Sequence, residues 1–185
     1  LRAIIRIAVL VTVALSVPSH PALAQGRHNL LVTLTGGIGG SIDEDDAGLG
    51  NRAFQLGLAM ESGVQRLLSL RLGRISFGSE EVLGALADPQ LDYAIVGGEY
   101  RFDEGAYISG LFLGLGAYRL EGIRAVAGAA GVRDEKTVLG VNLGASGLFE
   151  VTRRVSLTGE ISAHLLNSDV AEIFLVALGG VAIHI

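Results

Sequence analysis

The chain has no cysteine and no tryptophan, one methionine and three prolines in 185 residues. Without thiols there is no disulfide framework, thiolate nucleophile or cysteine metal site. Charge is scarce too: 18% of residues are Asp, Glu, Lys or Arg, less than a water-facing domain of this size usually carries. Lys136 is the only lysine. The formal charge of −5 argues against a nucleic-acid partner. Beyond the N-terminus no apolar run is long enough for a membrane-spanning helix.

What is abundant is apolar surface and glycine: half the residues are hydrophobic and 27 are Gly. The N-terminus reads LRAIIRIAVLVTVALSVPSHPALAQG. Arg2 and Arg6 supply a positive start, Ile7 to Val17 a short apolar run, and Ala22-Leu23-Ala24 a small-x-small cleavage site. Together they predict a secretory signal peptide over 1–24 and an exported domain over 25–185. Losing the two arginines takes the formal charge from −5 to −7.

Within that domain the hydrophobic pattern has period two. From Val155 to Leu165 the odd positions are Val, Leu, Gly, Ile, Ala and Leu, while the even ones are Ser, Thr, Glu, Ser and His. Such alternation marks β-strands with one oily and one polar face. Eight segments read this way, near 29–40, 52–62, 64–77, 91–102, 106–120, 136–150, 154–166 and 173–185. Their links alternate in length. SIDEDDAGLGN, GSEEVLGALADPQ and EGIRAVAGAAGVRDE are long; Glu61-Ser62-Gly63, Asp103-Glu104-Gly105 and Val151-Thr152-Arg153 are tight. Long–short alternation with strands of about 11 residues predicts an all-β fold, an eight-stranded antiparallel up-and-down transmembrane barrel. Hydrocarbon tolerates no unpaired backbone group, so the sheet must close.

The barrel reading turns oily residues outward and polar ones into the bore. Glu61, Arg71, Glu99, Arg101, Glu160 and His164 are the expected interior polar network. Aromatics gather at strand ends: Phe54, Phe77, Tyr93, Tyr118 and Phe174 toward the long links, and Tyr100, Phe102, Tyr107 and Phe149 toward the turns. Apart from Phe77 these are expected as membrane-interface girdles. Two segments resist assignment. In 106–120, Leu111, Leu113 and Leu115 oppose Ile108, Phe112 and Tyr118, and a bulge there would shift the register. Leu67 and Ile75 blur 64–77. A soluble, oily-inside barrel has the same period and remains a third reading.

DYAIVGGEYRFDEGAYISGLFLGLGAY and NLGASGLFEVTRRVSLTGEIS carry the best match to a known pattern: a strand ending Tyr-Arg-Phe, a tight turn, a Tyr and a glycine-rich strand, then a closing hairpin. In this the chain resembles the small outer-membrane β-barrel family, the group around the transmembrane domain of outer-membrane protein A. The resemblance implies a bacterial outer-membrane location, a salt-bridged lumen with little or no conductance, and contact with outer-membrane lipid, lipopolysaccharide and the barrel-assembly machinery. One departure is Ala182-Ile183-His184-Ile185 where that family has a terminal aromatic.

The expected role is structural or surface-interacting, without catalysis, metal or cofactor. Asp43-Glu44-Asp45-Asp46 could hold a divalent cation, but its spacing is not an EF-hand and a solvated loop explains it as well. His164 with Ser168 and Glu172, or with Ser162 on its own face, could serve acyl transfer in a lipid A hydrolase; no motif spacing supports it. His20, His28 and His184 do not pair at ligand spacing.

Overall fold

The computed structural model describes residues 30–42, 50–63, 65–77, 82–83, 86–104, 107–124, 132–167 and 173–185. The expected signal peptide, His20, His28, the acidic run 43–46, Ser168 and Glu172 lie outside these residues. So do the side chains of 61–63, 82–88, 103–104, 124 and 132.

Among the described residues nine strands form: β1 (Leu30–Ser41), β2 (Asn51–Gly63), β3 (Arg66–Ser76), β4 (Val82–Leu83), β5 (Leu86–Glu104), β6 (Tyr107–Arg124), β7 (Val132–Glu150), β8 (Val155–Leu166) and β9 (Ile173–His184). All pairings are antiparallel. β3, β2, β1, β9, β8, β7, β6 and β5 follow in order, and β3 pairs with β5 to close an eight-membered ring; β4 is a two-residue addition to β5. The turns are local. In Val151–Arg154 the Thr152 hydroxyl accepts from the backbone N–H groups of Arg154 and Val155, at 3.2 and 3.0 Å. β2 runs through Glu61-Ser62-Gly63, with an irregularity at Glu61/Gly63, so the reversal falls two residues later than expected.

The register fixes the shape. Leu30 pairs with Met60, Met60 with Leu68, Leu68 with Gly98, Gly98 with Leu113, Leu113 with Leu143, Leu143 with Ala163, Ala163 with Leu175, and Leu175 with Gly40. One circuit therefore climbs from residue 30 to residue 40. A stagger of ten over eight strands tilts them by about 40° at ordinary strand spacing. A 12-residue strand then rises about 30 Å, enough for the roughly 25 Å apolar band of such barrels.

The faces divide as parity demands. Leu34, Leu56, Leu58, Leu72, Val96, Leu143, Leu157, Ile161 and Val181 look outward and are exposed. The doubtful segments resolve the same way. Leu111 and Leu115 are outward, while Ile108, Phe112 and Tyr118 fill the bore with Leu67 and Ile75. No register shift occurs along β6; the shift lies in β5, at Ala87/Gln90. With the oily side chains outside and Asn142 and Glu160 inside, the soluble-barrel reading is overturned.

On the outward face Gly147 pairs with Gly159, Gly159 with Gly179, and Gly179 with Gly36, giving a row of four glycines across β7, β8, β9 and β1. Strand lengths are uneven. β5, β6 and β7 have 18 or 19 residues, against 11 to 13 in the other ring strands. Their extra length stands beyond the ring on the side of the long links.

Candidate functional site: the filled bore

Inward parity brings three layers into the barrel. On the long-link side a hydrophobic cluster holds Ile75, Phe77, Leu91, Tyr93, Ile95, Tyr118, Leu120, Phe174 and Val176. Phe77 meets Phe174 edge-on at 6.1 Å between centroids. On the turn side a smaller cluster holds Leu31, Ile108, Leu148 and Ala182. Glycine makes the wide rings fit. A Cβ at Gly73 would overlap the Tyr93 ring, and one at Gly144 would crowd Phe112.

Between the clusters lies the charged layer. The Arg71 guanidinium donates to Glu99 at 3.2 Å, lies 3.5 Å from Glu160, and sits 4.0 Å above the Phe112 ring. Arg101 donates to the other Glu99 oxygen at 3.1 Å, and the Ser146 hydroxyl donates to the same atom at 3.0 Å. Gln55 donates to Glu160 at 3.1 Å, and the Tyr93 hydroxyl donates to Gln55 at 3.1 Å. A charge here without partners would be costly; two arginines against two glutamates make the layer neutral. Oε1 of Glu160 and Oδ1 of Asn142 have no hydrogen-bond partner among the described residues.

Of the six residues expected to line the interior, Arg71, Glu99, Arg101 and Glu160 thus meet. Glu61 lies outside the described side chains. His164 is in the bore but in a different set. Its Nδ1 is 3.1 Å from the Tyr118 hydroxyl, and its Nε2 is 3.2 Å from Ser162 and 3.4 Å from Asn142. The Tyr93 ring, with its centroid 4.8 Å away, links it through Gln55 to the charged layer. His164 and Ser162 are both buried in the bore. Among the described residues no group of acids and histidines could hold a metal.

Three aromatic assignments need correction. Tyr93, Tyr118 and Phe174 do not lie at the membrane interface; they are buried in the bore. They sit near strand ends, but on the inward parity of β5, β6 and β9. Phe77 is buried with them. Phe54, Tyr100, Phe102, Tyr107 and Phe149 do face outward. Tyr100 and Phe102 touch edge-on at 5.1 Å, and the Tyr100 hydroxyl donates to Gln65 at 2.6 Å. Gln55, Ser69 and Ser146 also line the polar interior and are absent from the expected network. Each shares its strand's inward parity, which is the signal that would have found it.

Toward the long links the outward face carries ion pairs. Arg74 meets Asp92 through two bonds of 2.6 and 3.0 Å. Arg119 pairs with Glu135 at 2.8 Å, and Arg133 pairs with Glu121.

A closed ring with a continuous oily exterior spans a membrane, since nothing in water would sustain that surface. Its fold is that of the small outer-membrane β-barrels. Neisserial surface protein A superposes with a TM-score of 0.63 at 15% identity, over 87% of this chain and 100% of that one. The N-terminal barrel domain of Pseudomonas aeruginosa OprF gives 0.59 at 11% identity, over 86% and 98%. Ail, the attachment invasion locus protein of Yersinia pestis, gives 0.58 at 16% identity, over 86% and 99%. No family model and no curated protein matches the chain. Fold and lipid-facing belt together make this a transmembrane β-barrel of the architecture those bacterial outer-membrane proteins share.

Proposed function

We propose that the protein is a non-enzymatic outer-membrane barrel with a structural or surface-interaction role, holding a plugged bore in lipid and presenting its long links outward. The observation that carries this reading is the filled interior: two apolar clusters with a neutral ion-pair layer between them. Such a bore offers no aqueous path and no open nucleophile among the described residues. What remains for contact with other molecules is the outside: lipid and lipopolysaccharide around the belt, and the projecting β5–β7 sheet. Two of the similar structures carry names in the same sense, a surface protein and an attachment protein.

The test is conductance of the purified barrel in planar bilayers. The expected result is no open-channel current with the native chain; steady ionic conductance would overturn the plugged bore. The competing lipid A hydrolase reading is tested separately. His164→Ala and Ser168→Ala are each expected to leave the acylation of lipid A in expressing cells unchanged.

A further inference from the structure

We propose that the hollow where β3 ends against the projecting β5–β7 sheet binds a neutral saccharide through adjacent hydroxyl groups. The proposal deepens the surface-interaction reading above and rests on its outward placement of the long links.

The ladders build the hollow. β3 leaves β5 at Ser76↔Gln90, and the Phe77 N–H makes a last bond to the Pro89 carbonyl at 3.2 Å. Just beyond, Asp88 and Pro89 of β5 stand against Gly122 alone, between the pairs Ala87↔Ile123 and Gln90↔Glu121. An extra residue in one strand bends it and disrupts the ladder locally. The space that results is about 390 Å³, within the usual range of small-molecule sites. Phe77, Pro89 and Ile123 give it an apolar wall; Gln90, Glu121 and Arg133 give it a polar one.

Glu121 is the group that selects the ligand. It shares the outward parity of Arg119 and Ile123, yet its side chain is nine-tenths buried. It is ion-paired to Arg133 and lies 3.6 Å from Arg119, which Glu135 also holds. Two arginines against two glutamates leave the site neutral. An anion drawn to Arg133 would weaken the pairing of a buried carboxylate, and a cation would have to displace two arginines already beside it. A neutral ligand disturbs neither. The paired groups still have bonds to offer, because a carboxylate has lone pairs and a guanidinium has N–H groups beyond those that one ion pair uses. Gln90 gives its Nε2 to Asp92 at 3.2 Å and keeps its Oε1 as an acceptor. Acceptors and a donor side by side suit adjacent hydroxyls, each of which can give one bond and take another. The apolar wall then removes the C–H face of the sugar ring from water.

The test uses the full-length barrel refolded in dodecylphosphocholine micelles, since glycoside detergents would compete. The methyl α-pyranosides of glucose, galactose and mannose are titrated while backbone amide resonances are followed. At least one should shift Gln90, Gly122 and Arg133 saturably and leave Ser109 and Ser156, at the turn end, unmoved. A 6-sulfated form of that sugar should bind no tighter than the neutral one. Glu121→Gln should weaken binding at least fivefold. Ser76→Trp places a large ring in the hollow and should abolish binding, while unheated gel mobility stays that of the folded barrel; it decides the matter should Glu121→Gln fail to fold. No saturable shift with any of the three sugars, tighter binding of the sulfate, or binding retained by folded Ser76→Trp would each overturn the proposal. Two oligosaccharides ending in the sugar that binds separate its sources. Preference for dephosphorylated core from the producing strain's own lipopolysaccharide assigns the site to the cell's own surface, and preference for a foreign glycan assigns it to the surroundings. Outward placement is read independently. The chain has no cysteine, so Thr137→Cys gives a unique thiol. A membrane-impermeant maleimide should label it on intact cells; failure there would sink the surface reading and leave the sugar result standing.

Discussion

At the scale of the residue, Arg71 holds the interior together. It is shared by Glu99 and Glu160 and covers Phe112. Replacing it with Met would keep the volume, leave Glu99 with Arg101, and strand the buried Glu160 carboxylate without a cation. Removing one partner from a buried pair costs about 3–5 kcal/mol, so Arg71→Met should lower the urea midpoint of the lipid-embedded barrel by that equivalent at unchanged slope. Adding Glu160→Gln should recover part of the loss, because one stranded charge is gone. A cycle in which the two losses simply add would show that Arg71 and Glu160 do not interact. Gly73 offers a contrasting case. Gly73→Val drives methyl groups into the Tyr93 ring, and overpacking of this kind costs about 1–3 kcal/mol; the same unfolding assay reads it.

At the scale of the element, β6 shows how lipid writes a strand. Leu115 lies mid-strand and is 71% exposed. An arginine there would meet hydrocarbon, and Leu115→Arg is expected to destabilise the barrel in phospholipid vesicles by about 2–4 kcal/mol. Thr137→Arg, on the part of β7 above the ring, should cost close to nothing. Equal losses at the two sites would mean that the belt has been placed at the wrong height. The same contrast explains how far the sequence could be read. Where lipid surrounds a strand, alternation is obligatory, and β1, β2, β8 and β9 were legible within a few residues. Above the ring, water accepts either face. Alternation gives way to charge in Arg119–Arg124 and Arg133–Lys136, so the outer ends of β5, β6 and β7 and the short β4 left no periodic trace. Tyr93, Tyr118 and Phe174 depart from the sequence expectation for another reason. Position along a strand says how deep a ring lies, and parity says which way it points. Tyr93 shares parity with Glu99 and Arg101, two residues already expected inside. Parity places His164 inward, but period two cannot tell which layer of the bore a residue joins; that depends on the ten-residue stagger, a property of the closed ring.

At the scale of the whole molecule, ring closure dominates. Every ring strand is bonded on both sides over its lipid-exposed length, so there is no edge from which unfolding can begin in hydrocarbon. The protein should therefore fractionate with outer membranes and run faster on an unheated detergent gel than after boiling. A single band regardless of heating would mean that no such closed state survives in detergent.

The four-glycine row gives the cylinder two unlike flanks. Around Gly159 and Gly179 the wall is bare main chain, flanked by the Phe54 ring beside Gly36 and the Tyr107 ring beside Gly147, while the flank bearing Val96, Leu115 and Leu139 is studded with bulky branches. Neighbouring fatty tails can lie straight along the first flank and must bend between knobs on the second. Spinning the molecule about the bilayer normal consequently changes which lipids are tidily combed and which are ruffled, and its immediate surroundings are lopsided even though the barrel itself is nearly round.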